Sequence, residues 1–575
     1  MSSIASIGRM VSGLSAAQKG LQVTGHNISN VNTQGYIRQQ LLQHESSYLN
    51  IGSNGRLMQV GLGVTPTEIR QIRSELADRR FRTENGILGF YQAQNASIQE
   101  IEAILDEPYG ESISKMLGNL WAQAQKLNTN PDGVEERLSF IQAANVLVKK
   151  ANHIADSFMT YQDNLNSEVI KSVDRINELI RGVYEHNEKI ALSEINGDNA
   201  NDYRDQRNLL LDELSGFMEI DYYEEADSRI VLKAEGRTVV DKQFVTLLEL
   251  KQTVDNSPFV KPIWSNTKED VYNFNKVISA AKENDTGKLK SLLLIRGDEY
   301  VRADQLDASG AIVKYGTSWS DIALNDNYSV DVPGNSYFVP KIHKKFNELI
   351  NELTTMANAL FDGDGIGIHE GLKGVPMFVP IKTPADYPYT GAPKPTDPTD
   401  PGYQAAYKTY VDEYNAYLKK INSYLVPGNI RINPDLMENG GYNRLGTVDP
   451  TYLDQGNNSK VTEFLAGWST NRDWPKDAQG STVSDPTRPY AKKVSIMGFY
   501  AEFVTDIGLE GSGYKNKVSE KQTTVVNIEN ERQSIGGVSQ DEEFTSMLKY
   551  QYAYNASARM ITMLDSMMDT IINKM

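Results

Sequence analysis

Apolar residues recur at helical spacing at both extremes of this 575-residue chain, and nothing between them limits the fold as strongly. Ser539 stands three residues before Glu542, as in a capping box, and Asp541, Glu542 and Glu543 put negative charge at the positive end of a helix dipole. Phe544, Met547, Gln551, Tyr554, Ala558, Ile561, Asp565, Met568, Ile572 and Met575 then alternate at spacings of three and four, widened by Leu548, Leu564 and Ile571. A stripe that continues to the last residue calls for a partner elsewhere in the chain. The first residues offer one. Ile4, Ile7, Val11, Leu14, Leu21 and Ile28 repeat with a period of about 3.5, and Gln18 and Gly25 fill two weak positions. The expectation is a coiled coil closed by both ends; the alternative is that each end helix docks separately on a globular core.

The totals narrow the partners. A net charge of −17 gives a phosphate backbone or an anionic membrane nothing to attract, so neither nucleic acid nor membrane is expected. Up to His44 the only charged side chains are Arg9, Lys19 and Arg38, which marks a surface meant to be buried. The absence of cysteine excludes disulfides, thiolate metal sites and cysteine nucleophiles together. No apolar run approaches the roughly 20 residues that span a bilayer. Arg9 and Lys19 interrupt a start that has no leading basic region, so a cleaved secretory signal is not expected.

The first helix should stop where Asn27, Asn30 and Asn32 are followed by Thr33 and Gly35, residues that cap, turn and tolerate positive φ. Read with Tyr36 and Arg38, this stretch resembles the "NxxNxNTxGY" turn of the bacterial flagellar axial proteins. The C-terminus agrees: Asp541-Glu542-Glu543 lies in a block similar to "SxSGVxxDEE", and Tyr550-Gln551-Tyr552-Ala553-Tyr554 is similar to "YQxAY". Asp205-Gln206-Arg207 followed by Leu209, Leu210, Leu211 and Leu214 resembles the "DQRxxLLxELS" of the hook-associated branch, which rod proteins do not carry after such long helices.

Between these motifs the periodicity organises the rest. Short strands and turns fill residues 37–69. Helical stripes follow on Leu88, Tyr91, Ile98, Ile101 and Leu105, and on Ile113, Leu117, Leu120, Trp121, Ala124 and Leu127. A third runs from Leu138 to Ile190. Residues 135–192 alone could span about 85 Å, so they need partners, for which the two preceding runs and Val518, Val525, Ile528 and Ile535 are candidates. Ile220 to Tyr223, Ile230 to Leu232, Thr238 to Val240 and Lys288 to Ile295 read as strands. Prolines from Pro380 to Pro401 read as a stiff exposed linker, followed by a helix-like tyrosine-rich segment that should pack on itself. The expected fold class is multidomain α+β: terminal helices paired as a coiled coil, a long helical bundle body and a β-rich outer part. Its divisions are 1–72 with 538–575, 73–216 with 494–537 and 341–362, 217–340, and a variable outer region 363–493.

No catalytic, cofactor or metal constellation appears. HExxH, GxSxG and a Walker loop are missing, the six histidines are scattered, and the Asp362 to Glu370 and Asn196 to Asp202 stretches read as turns rather than calcium loops. The resemblance implies a structural subunit at the hook-filament junction, with the terminal stripes as assembly interface. It implies a helical ring of about eleven copies, contact with the hook protein and the next junction protein, and an export chaperone on the C-terminal helix. It also implies an extracellular place in the flagellum, reached without signal cleavage. Another axial role (rod, hook or flagellin-like), or an insertion with adhesin or enzyme activity, remains the alternative.

Overall fold

The computed structural model describes residues 2–574 except 54–55, 107–111, 196, 198, 254–256, 275–277, 299, 301–304, 307–311, 315–336, 362–373, 385–387, 398, 449–456 and 475–491. The Asp362 to Glu370 turn lies outside the described residues, as do the side chains of Ile4 and Ile572. The helices that organise the chain are α1 (Ser2–Ser29), α2 (Glu75–Leu105), α3 (Ile113–Thr129), α4 (Val134–Glu194), α5 (Asn201–Phe217), α6 (Lys288–Arg296), α7 (Phe338–Phe361), α8 (Tyr403–Lys420), α9 (Ser459–Ser469), α10 (Ile496–Gly536) and α11 (Gln540–Lys574). The first strands are β1 (Gln39–Glu45), β2 (Tyr48–Ser53), β3 (Arg56–Gly61) and β4 (Val64–Gln71), followed by β5 (Ile220–Glu224), β6 (Ile230–Ala234), β7 (Arg237–Val240), β8 (Leu248–Gln252) and β9 (Val260–Trp264).

The two ends do pair. Contacts fall between Gly13 and Ser557, Gly20 and Tyr550, and Asn27 and Glu543. Each step of seven residues forward on α1 matches a step of seven back on α11, so the helices run antiparallel in constant register. The face α1 presents is made of small residues: Ala16, Ala17, Val23 and Thr24 are buried, and a Cβ on Gly20 would fall 2.5 Å from the Tyr550 ring. The bulky heptad lies to the side of this contact. Leu14, Leu21 and Ile28 are only half-buried and Val11 is exposed. On α11, Met547, Tyr554, Ile561, Leu564 and Met568 are half-buried, whereas Phe544, Leu548 and Gln551 are exposed. The pairing was anticipated; on α1 the face that makes it is another one, because glycine and alanine let the backbones approach where leucine would hold them apart, whereas on α11 much of the expected stripe lies on the more covered side.

Below the terminal pair, β1 and β4 form an antiparallel ladder with a bulge at Leu42/Gln43, and β2 and β3 extend it as a hairpin. The helical body begins at Ser74, whose side chain caps α2 by accepting from the Ala77 amide; Ser112 caps α3 in the same way. At 61 residues α4 is about 90 Å long. Its buried stripe, from Phe140 to Ile190, meets α3 first, then α6, α5 and strands β8 and β9. Helix α10 lies on α2 rather than on α4, so Val525 and Ile528 are buried by a different partner than the spacing suggested. One continuous core runs from Ile98 to Ile507 and includes residues of the strands and of the outer region.

Strands β5, β6 and β7 form an antiparallel sheet, and β8 pairs with β9. The Lys288 to Ile295 stretch is helix α6, not a strand. It is buried on every side, so its apolar residues show no amphipathic period, and Lys290 pairs with the buried carboxylate of Glu235 3.0 Å away. The proline-rich segment is exposed but tied down. Tyr389 is set edge-on against Tyr410 and Tyr414, with Tyr417 also against it, the Ala392 amide donates to Glu413 and Lys394 pairs with Asp435.

Four asparagines attach the outer segments to α4. Asn187 donates to the Ile230 carbonyl and accepts from the Ile230 amide (2.8 and 3.1 Å). Asn177 makes the same pair of bonds with Leu248. Asn166 donates to the Pro258 carbonyl and accepts from the Val260 amide, and Asn152 donates to the Ile430 carbonyl and accepts from the Gly428 amide. Asn358 of α7 repeats the arrangement on Phe378. A carboxamide carries a donor and an acceptor side by side, as a strand edge does, and so it can close an open edge.

Candidate functional site: the joint between the terminal helices and the body

The motif that ends α1 is a turn closed by its own side chains. Asn30 donates to the His26 carbonyl and Thr33 to Asn30 Oδ1. Gly35 has a φ of +77°, and a Cβ there would fall 2.5 Å from Leu209 of α5. Only glycine fits both the conformation and the space. Tyr36 then folds back: its hydroxyl donates to Asn27 Oδ1 at 2.8 Å, and His26 Nδ1 lies 3.0 Å from the Tyr36 hydroxyl oxygen. Asn32 and Thr33 are exposed.

Asn27 is the buried centre. Its Oδ1 also accepts the Gln39 amide, and its Nδ2 donates both to the Gln39 carbonyl and to Glu543. Arg38 Nε reaches Glu543 at 2.6 Å and Nη1 reaches Glu542 at 2.8 Å. Glu543 is almost fully buried, so this is a charge held by a guanidinium and an amide at the first turn of α11, where a carboxylate is favoured. Among the described residues the exposed Asp541 makes no such contact across the joint. The N-terminal and C-terminal motifs, some 500 residues apart in sequence, thus meet side chain to side chain.

The third motif joins them. Asp205 accepts the Ile37 amide at 3.2 Å and the Gln71 amide group at 2.7 Å. Gln206 Oε1 lies 2.8 Å from His186 Nε2 on α4. Arg207 donates to Asn187, to the Ser228 carbonyl and to Glu224. Three consecutive residues therefore face three elements: the connector ladder, α4 and the β5–β6 turn. Burial pushes the Asp205 carboxyl up to about 7 against the opposing pull of the Ile37 amide, Arg73 and Gln71. Burial together with Asp202, Asp205 and Glu543 also drives the Tyr36 phenol well above its ordinary value.

Around this centre Asn199 and Asn201 both donate to the Ile69 carbonyl, and Gln39 donates to Asp202. The Arg38 amide donates to the Gly536 carbonyl, and a Cβ on Gly536 would fall 2.7 Å from the Ile72 carbonyl. Sequence reading singled out Asn27, Tyr36, Arg38, Glu542 and Glu543, and placed Tyr550 and Gly536 in the C-terminal motifs, but gave no role to Asp202 and missed Gln71 and Gly20. The Asp205-Gln206-Arg207 block was the available signal, and it carried no indication of what it touches. Among the described residues no cluster of ligating side chains could hold a metal ion and no helix is long and apolar enough to cross a membrane.

Comparison with known proteins agrees with this anatomy. The flagellar hook-associated protein FlgK helical domain matches residues 98–313, the flagella basal body rod protein family matches 10–36, and the flagellar basal body rod FlgEFG protein C-terminal family matches 534–574. Ends of a type shared with rod proteins, enclosing this helical middle, define a flagellar axial protein. Over 568 residues the chain is 24% identical to flagellar hook-associated protein 1 of Bacillus subtilis, covering 98% of this chain and 96% of that one. It is 22% identical over 590 residues to the protein of that name from Salmonella typhimurium, covering 99% of both. The flagellar hook junction protein FlgK from Burkholderia pseudomallei shares the fold, with a TM-score of 0.51 at 10% identity over 80% of this chain and all of that one. Over nearly its whole length, then, the chain is similar to flagellar hook-associated protein 1, and its helical middle matches the FlgK domain.

Proposed function

We propose that this chain assembles through its two ends, with the joint carrying force from the terminal pair into the body. Like the hook-associated protein 1 relatives it resembles, it is a structural subunit of the bacterial flagellum at the junction of hook and filament, outside the cell, and not an enzyme. The observation that carries the assembly reading is the apolar surface left over after α1 and α11 have paired. Val11, Phe544, Leu548, Tyr552, Met560, Met563 and Met567 are each about half exposed or more. A surface of this kind is costly in water and useful only when covered. With Ile4, Ile7, Leu14, Leu21, Ile28, Met547, Tyr554, Ile561, Leu564, Met568 and Ile572 flanking it, we take it as the contact with neighbouring subunits in a helical ring of about eleven copies, with hook protein on one side and the next junction protein on the other. Residues 1–72 with 538–575 form the assembling unit in this reading; 73–216, 494–537 and 341–362 form the body, 217–340 the β-rich part and 363–493 the outer region.

Replacing Phe544 and Leu548 together by aspartate tests it. Both side chains are already half in water, so the free chain should melt nearly as before. In the ring each would be a buried charge without a partner, which costs several kcal/mol at every contact. Cells carrying the variant should shed flagellin and lose motility; firmly held filaments would refute the reading.

Before assembly the same surface invites aggregation, so an export chaperone with a groove for an amphipathic helix is expected to cover α11. Export without cleavage of a signal peptide belongs to the same reading. Deleting residues 541–575 should abolish chaperone binding in a pull-down while the body stays folded, and full-strength binding by the truncated chain would reject it.

A further inference from the structure

The chain crosses between the terminal pair and the body at two places, Ile72–Arg73 and Gly536–Ser539, and these crossings touch. The Ile72 amide donates to the Arg38 carbonyl, the Arg38 amide donates to Gly536, and Gly536 is buried against Ile37 and Ile72. Two linked crossings define an axis, and a unit held only there is free to swing about it. Further contacts lie beside these crossings: Gln39 donates to Asp202, and Leu209 packs against Gly35. Asp205 takes the Ile37 amide and the Gln71 side chain, and Asn199 and Asn201 both hold the Ile69 carbonyl on β4. They are made by the first turns of α5 and by Asn199 just before it, a stretch fixed in turn by Arg204 on Glu194 and Arg207 on Asn187.

We propose that the start of α5, with Asn199 just before it, is a latch that sets the direction in which the terminal pair leaves the body, with Asp205 as its principal positioning residue. The inference rests on the reading of the terminal pair as the assembling unit, and it adds what orients that unit. The latch grips the connector mainly through its main chain and Gln71, so it fixes an angle and leaves the outward faces of α1 and α11 free. Without it the two crossings, with Gly536 and Gly537 at one of them, remain intact and act as a hinge.

Because the chain has no cysteine, two introduced ones can be labelled uniquely. Gln18→Cys on α1 and Lys171→Cys on α4 both replace exposed residues. With spin labels there, the distance distribution of the free full-length chain measured by double electron–electron resonance should be one narrow peak. The triple variant Asn199→Ala, Asn201→Ala, Asp205→Ala should broaden it at least about twofold as alternative orientations become populated. Asp205→Asn, which keeps an acceptor oxygen, should broaden it less than Asp205→Ala. The body should keep a single cooperative melting transition, which separates lost orientation from lost folding. Should the triple variant unfold, Gln71→Ala, which cuts the Gln71–Asp205 contact from the connector side, replaces it, with a smaller broadening expected, closer to that of Asp205→Ala. A peak that stays narrow without the latch, or one already broad with it, overturns the proposal. Since no ring is involved, this result is independent of whether Phe544 and Leu548 hold filaments to the hook.

Discussion

Asp205 accepts two hydrogen bonds in a place that water scarcely reaches, and the two facts pull its proton affinity in opposite directions. Burial wins and lifts the carboxyl to about 7, with Asp202 adding to the rise and Arg73 opposing it. An unfolded aspartate titrates at about 3.9, so between that value and about 7 the folded chain keeps a proton that the unfolded chain has released. This group's contribution therefore favours the fold at the acid end and is lost as pH rises towards 7. The swing amounts to at most about 4 kcal/mol. Asp205→Asn removes the titration, so its urea midpoint should gain on the wild type as pH is raised from about 4 to about 8. A difference that stays flat over that range would show that burial does not govern this carboxylate. The role of Asp205 was not legible beforehand. A three-residue motif marks a position, but its partners Ile37 and Gln71 lie more than 130 residues away and give no periodic signal. Gly20 was hidden for a related reason: a seam is sought among large apolar residues, and a contact made by the absence of a side chain has no hydropathy.

At the scale of elements, the long helices were readable because their stripes must be buried somewhere, and α4 buries its stripe along almost all its length. Helix α6 was misread because burial on every side erases the alternation by which helix and strand are told apart. The asparagines of α4 were invisible too, since a polar residue on a helix ordinarily faces solvent. Their weight can be measured. Asn187→Leu would leave the amide and carbonyl of Ile230 without partners and remove one acceptor of Arg207, all in a buried setting. Unsatisfied buried groups cost about 1–3 kcal/mol each, so chemical denaturation should register a loss of at least about 2 kcal/mol for Asn187→Leu. Asn152→Leu, at a less buried site, should lose less. Equal and negligible losses would mean that the pairing adds nothing beyond packing.

Across the whole molecule the division into parts seen from outside differs from the division seen from the core. Bundle, strands and outer region share one apolar cluster from Ile98 to Ile507, whereas Ala16, Ala17 and Val23 of the terminal pair lie outside it. Calorimetry of the free chain should accordingly show one dominant transition for the body with its outer parts and a separate, earlier one for the terminal pair. Two or more well-separated transitions within residues 73–536 would contradict that continuity. The asparagine pairs on α4 have a consequence for how such a molecule can change over generations. Each bond goes to a peptide group, and any residue with an amide can offer the donor. Attachment to the rod therefore sets no condition on the side chains of what is attached. The outward surface can be rewritten residue by residue, or lengthened by an insertion such as the tyrosine-rich one, without loosening its hold on the spine.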